Sequence, residues 1–241
     1  MKKKFNEYIL EYDMFMINVI SMGLLFLMAF ITLVIIKFLP ESYMDLFFEK
    51  SIVLFGGLNT LISFIVLILW LILHEIIHYI GYRIKGAKSK DLVFGIALEK
   101  GVFYCKCKDY IKKNCIMFSL LSPFMVIGVI TYIIGMILNA PWLVFLSIVN
   151  ISGAAGDLVM FSFFLKQDDD IEFKELGFSS PCVIKTRKNI LEDKYLGIKN
   201  IRLVKNQDEI TEGSEKKITI TKPSWIFFIV CFLIILIGII L

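Results

Sequence analysis

Only two histidines occur in the 241 residues, and they stand four apart around a glutamate, in the run His74-Glu75-Ile76-Ile77-His78. On a helix, positions i and i+4 share a face, so both imidazoles can reach one Zn2+ at about 2.0–2.1 Å. Glu75 lies about 100° round such a helix from His74. That sets it off the metal axis, where a carboxylate can act as base towards a metal-bound water. With 12 glutamates in the chain, the arrangement would arise by coincidence about once in 2,400 sequences. The competing reading makes both histidines packing residues. Against it stands the cost of burying an ionisable cluster in an otherwise apolar run, which as a rule marks function.

A catalytic zinc takes a third protein ligand and leaves its fourth position to water, and the chain holds no third histidine. Asp157, in "NISGAAGDLVM", is the other acidic residue inside an apolar block. It lies nine residues before Lys166, as His74 lies nine and His78 five before Arg83. At 1.5 Å per residue all three sit about 8–13 Å inside the charged boundary. An aspartate in hydrocarbon needs a partner, and Zn2+ supplies one; a bond to a neighbouring Asn or Ser is the alternative. Asn150, seven residues before Asp157, shares its face. It can serve as a second-shell or oxyanion group, or as glue between helices. Ser152, Gly153, Ala154, Ala155 and Gly156 are small enough to let two helices meet closely. Ser122-Pro123 falls about ten residues inside Lys113. The proline frees a backbone carbonyl, and it either opens the site or merely bends a membrane helix.

The elements that must hold these residues are apolar blocks. Hydrophobic residues make up 58% of the chain, against about 45–50% in ordinary soluble domains. Met14 to Ile36, Ser51 to Leu73, Cys115 to Asn139 and Ser224 to Leu241 carry no charge, and Ala140 to Leu165 carries only Asp157. Each is long enough to span a bilayer as a helix. The first is too long for a cleaved signal and is expected to stay as an anchor. Lysine and arginine number three before the first block, then two, nine, none and twelve in the successive connections. That alternation places the N-terminus and both long loops in the cytoplasm and the C-terminus outside. The net charge of +4 therefore expresses topology, and no nucleic-acid partner is expected.

The segment Asp91 to Tyr110 alternates and is rich in β-formers, with "EKG" as its turn, which predicts a membrane-associated β-hairpin. Lys166 to Lys222 is hydrophilic with short strand-like runs; it reads either as a small β-rich module or as a loop leaning on the membrane core. Cys105-x-Cys107 has no second half of a metal site near it and reads as plain thiols. The expected fold is an all-α polytopic membrane protein of about five transmembrane helices, with the hairpin and a small cytoplasmic β-rich segment. Its expected parts are a tail and first anchor (1–50), a zincin-like catalytic core of three helices and the hairpin (51–165), a hydrophilic cytoplasmic segment (166–222) and a last transmembrane helix (223–241).

"HEIIH" in one span, "SPF" in the next and "GD" in the one after resemble a family of bacterial membrane proteins held to be zincin peptidases on their motif. That family is similar in turn to the site-2 proteases, intramembrane zinc metalloproteases. The resemblance covers roughly residues 60 to 166. It implies that His74 and His78 are the first two zinc ligands, Asp157 the third and Glu75 the catalytic base. It also implies a bacterial cell-membrane location, and "VFYCKC" resembles a membrane-associated β element of the family. Site-2 proteases usually present their aspartate as Leu-Asp-Gly; here the order is Gly156-Asp157-Leu158. The expected activity is hydrolysis of peptide bonds in membrane-protein or peptide substrates. Two rivals are a non-catalytic metal-binding membrane protein, such as an immunity or transport factor, and a zinc hydrolase acting on a lipid. Glu75 discriminates against the first, because a closed structural site needs a fourth ligand and has no use for a base.

Overall fold

Asp13 starts the first long helix. Its carboxylate accepts the Met16 N–H at 3.1 Å, an N-cap that satisfies one of the free amides of the opening turn. The helix, α1 (Met14–Lys37), then runs uncharged to a basic last turn. It leaves Phe15, Phe26, Phe30 and Leu33 exposed, a surface suited to lipid. The computed structural model describes residues 5–54, 58–97, 102–175, 182–187, 190 and 195–204. Among them α2 (Glu41–Leu54), α3 (Leu58–Ile84), α4 (Lys113–Pro123), α5 (Thr131–Ile137), α6 (Pro141–Gly153) and α7 (Ala155–Leu165) follow α1. A π-helical stretch, Phe124–Ile130, joins α4 to α5. At the end of α3, Gly86 takes φ +94° and the Ala87 N–H bonds back to the Tyr82 carbonyl. Glycine adopts this left-handed stop without steric cost.

The strands are β1 (Asn6–Tyr12), β2 (Leu92–Ala97), β3 (Val102–Cys107), β4 (Ile111–Lys112), β5 (Glu172–Glu175), β6 (Cys182–Thr186) and β7 (Ile198–Leu203). β2 and β3 form an antiparallel pair with Phe94 opposite Cys105, at the place where alternation predicts a hairpin; its turn lies outside the described residues. The others form a five-stranded antiparallel sheet in the order β4-β5-β6-β1-β7.

The fold is therefore mixed α/β, and the expectation of an all-α protein with about five spans is corrected in two ways. First, the N-terminal tail is a strand. Tyr8, Ile9 and Leu10 are all buried, so β1 lacks the alternation of a half-exposed strand and reads in sequence as the lead-in to an anchor. Second, three helices among the described residues are long and apolar enough to cross a membrane: Met14–Lys37, Ile62–Ile84 and Lys113–Ile137. A fourth span results only if α6 and α7, bent by 49°, count as one. The bend falls at Gly153-Ala154, among the small residues expected to serve close helix approach. A Cβ on Gly153 would meet nothing within 4 Å, so this glycine marks the end of α6 and serves no close approach. The expected last helix, 223–241, lies outside the described residues.

The chain divides into two units. One comprises Met1–Val19, Glu75–Ser122 and Gly156–Thr221. Its core sets Ile9, Val183 and Ile184 of the sheet, all fully buried, beside the edge-to-face pair Phe164–Phe173 at 5.2 Å. The other comprises Ile20–His74, Pro123–Ala155 and Lys222–Leu241. There Ile36, Phe47, Tyr132, Val144 and Ile148 cluster, and α5 meets α6 so closely at Gly135 that a Cβ would lie 2.9 Å from Val144.

Candidate metal centre

α3 carries His74, Glu75 and His78, and each polar group has a fixed partner. The His78 Nδ1 lies 2.9 Å from the Ser119 carbonyl oxygen of α4. A carbonyl only accepts, so Nδ1 bears a hydrogen. The His78 Nε2 lies 3.4 Å from the Asp157 Oδ2 on the first turn of α7. Ser119 Oγ returns a bond to the His78 carbonyl at 2.9 Å, so residues 78 and 119 clamp each other. Gly81 makes the clamp possible: a Cβ there would stand 2.9 Å from the Ser119 Cα.

His74 obeys the same logic. Asn150 Nδ2 donates to the Pro123 carbonyl at 3.1 Å, which leaves Asn150 Oδ1 as an acceptor 2.8 Å from His74 Nδ1. A hydrogen of His74 is then on Nδ1, and Nε2 is the nitrogen that would ligate a metal. Gly128 in the π stretch gives Asn150 its room, since a Cβ there would lie 3.3 Å from the amide nitrogen and 2.9 Å from Ile151. Asn150 is thus committed to orienting a histidine, and its amide donor is engaged by Pro123.

His74 stands one turn before His78 on the same unbroken helix. The ligand atoms of His74, His78 and Asp157 lie within 4.8 Å of one another. Two imidazoles and one carboxylate are a donor set that would suit zinc. Glu75 stands outside this set. Its Oε2 accepts the Cys105 N–H of β3 at 2.7 Å. Since that amide is spent on Glu75, it points away from β2, and among the described residues no strand is paired with that edge of β3.

Three features escaped the sequence reading. The Ser119 carbonyl and the Cys105 amide are backbone groups, which residue type does not announce. Glu175, at the end of β5, accepts a long bond from Tyr82 Oη at 3.4 Å, and Tyr82 is one turn beyond His78. Burial pushes the Glu175 carboxyl up to about 7; His78 pulls it down, while Glu75 and Asp157 push it up. The Cys105 thiol is likewise pushed well up, by burial first and the Glu75 charge second.

Residues 67–171 match the family model DUF3267, whose description is "Putative zincin peptidase". The match covers under half of the chain, and it includes His74, Glu75, His78, Ser119, Pro123, Asn150 and Asp157 but not Glu175. No curated protein and no solved structure matches the chain. The match supports a zinc protease of zincin kind, whose cofactor is zinc, and the group of His74, His78 and Asp157 is compatible with that metal.

Proposed function

We propose that the protein is an intramembrane zinc metallopeptidase of site-2 protease type. The observation that carries this reading is the division of labour at the site. Three side chains can bind the metal, and the adjacent carboxylate, Glu75, is held by the backbone of β3 instead of joining them. A closed structural site needs a fourth protein ligand; among the described residues the group numbers three.

Zinc, when bound, activates water and polarises a carbonyl. His74, His78 and Asp157 would hold it, the first two oriented by Asn150 and the Ser119 carbonyl. Glu75 takes a proton from the attacking water and delivers it to the leaving amine. The Cys105 N–H fixes where that carboxylate points. The β2–β3 pair beside Glu75 is suited to hold an unwound stretch of a membrane-protein substrate as an added strand. The three apolar helices support a membrane location. In the proposed orientation the N-terminus and the Lys166 to Lys222 segment are cytoplasmic, in a bacterial cell membrane.

Two substitutions separate the roles. Glu75→Gln should keep zinc and abolish proteolysis, because a base is not a ligand. Asp157→Asn should weaken zinc binding and proteolysis together. Zinc content of the purified variants, and membrane proteomics of cells carrying wild type or Glu75→Gln, provide the readouts. A Glu75→Gln strain whose membrane peptides match wild type, with a changed lipid profile, would replace the peptidase by a lipid hydrolase.

A further inference from the structure

We propose that Pro123 is a positioning residue of the metal centre: by lacking an N–H it leaves the Ser119 carbonyl to His78 Nδ1 and so fixes the orientation of that ligand. The inference rests on the zinc-site reading above and adds a residue to it. In an α-helix the carbonyl of residue 119 is the acceptor for the N–H of residue 123. Residue 123 is the proline inside α4, which has no N–H to give. The orphaned carbonyl of Ser119 accepts His78 Nδ1–H at 2.9 Å, in a position where Ser119 is fully buried and solvent is no substitute. A donor at residue 123 would compete for the same lone pairs along the helix axis. The helix changes to π geometry immediately after this residue, at Phe124, and the proline's own carbonyl accepts from Asn150 Nδ2 at 3.1 Å. Asn150 in turn holds His74. One proline therefore stands behind both imidazoles, through a missing donor on one side and a carbonyl on the other.

The test exploits the two-histidine composition. Protein labelled with 15N-histidine yields two imidazoles whose Nδ1 shifts report the hydrogen bonds made there, in the metal-free state and without any substrate. Two variants separate the missing donor from the shape of the ring. Pro123→Ala restores an N–H. Lactic acid at position 123, introduced by nonsense suppression, removes the ring and leaves an ester without an N–H. The alanine variant should shift His78 Nδ1 towards the value of a weaker hydrogen bond and weaken zinc binding about 10–100-fold, the usual cost of losing an outer-shell partner. Its His74 should keep the wild-type shifts, because alanine still offers the carbonyl that holds Asn150. The lactate variant should match wild type at both histidines and in zinc affinity. If alanine leaves His78 unchanged, or if lactate shifts it as alanine does, the proposal is overturned. Should the alanine variant fail to fold, the lactate variant decides alone: a changed His78 Nδ1 shift in it refutes the idea. None of these readings depends on proteolysis, so they stand or fall separately from the peptidase assignment.

Discussion

Gly81→Ala is the sharpest geometric challenge to the site. The new methyl would sit 2.9 Å from the Ser119 Cα, 3.1 Å from Ser122 Oγ and 3.4 Å from the Ser119 Cβ, where ordinary contact begins at 3.4 Å. The nearest obstacle is backbone, so α3 and α4 must separate locally by about 0.5 Å. Both clamp bonds now measure 2.9 Å. Adding that displacement takes them to about 3.4 Å, beyond the useful range of about 3.2 Å. A buried donor and acceptor left poorly paired cost about 1–3 kcal/mol. For a chain of this size each kcal/mol is worth about 2–4 °C in melting temperature. Zinc affinity should fall about 10–100-fold, because His78 loses the carbonyl that orients it. The assay is a zinc competition titration of purified protein in detergent, with thermal unfolding alongside. Gly23→Ala on α1, whose Cβ would meet nothing within 4 Å, is the control; there alanine should be neutral or stabilising by about 0.5–1 kcal/mol. A Gly81→Ala protein that binds zinc and melts like wild type would refute the claim that close approach of α3 and α4 sets the ligand.

Two further outcomes follow from the same geometry. Asn150→Ala removes the acceptor of His74 Nδ1–H and should weaken zinc binding about 10–100-fold; an unaltered zinc isotherm would mean that His74 needs no such partner. Glu175 should make metal-free stability depend on pH. Its carboxyl is raised from 4.5 to about 7 in the fold, so the folded state holds a proton that the unfolded chain releases. Stability should therefore fall as pH rises from about 4.5 to about 7. Glu175→Gln should flatten that slope in melting curves taken at pH 5 and pH 8; equal slopes for both proteins would remove Glu175 from the account.

What the sequence discloses here is what depends on neighbours along the chain. The i, i+4 spacing of His74 and His78 is a property of one helix, and α3 holds them as that spacing requires. Asp157 was legible through depth, because distance to the next lysine measures position in an apolar block. The β2–β3 pair was legible because both strands lie within one short alternating segment. Pairings across long separations were not. β1 reads as a charged tail because its partners, β6 and β7, lie at residues 182–186 and 198–203. β5 is hidden in a hydrophilic stretch, and with it Glu175. The bend between α6 and α7 was hidden for another reason: glycine and alanine permit both a tight crossing and a break, and only the surroundings decide.

The interior place of β1, between β6 and β7, bears on how the protein is made. Tyr12, at the end of that strand, bonds to Cys182, 170 positions further on. A ribosome adding about 5–20 residues per second needs roughly 10–30 s to deliver that partner. During this interval β1 has two open edges, the state in which strands pair with the wrong chain. Helices α1 to α7 are synthesised while it waits, so sheet closure comes late in biogenesis. A fusion joined just ahead of β1 thus loads an interior strand, and a ribosome stalled before residue 182 releases a chain in which β1 has nothing to close on.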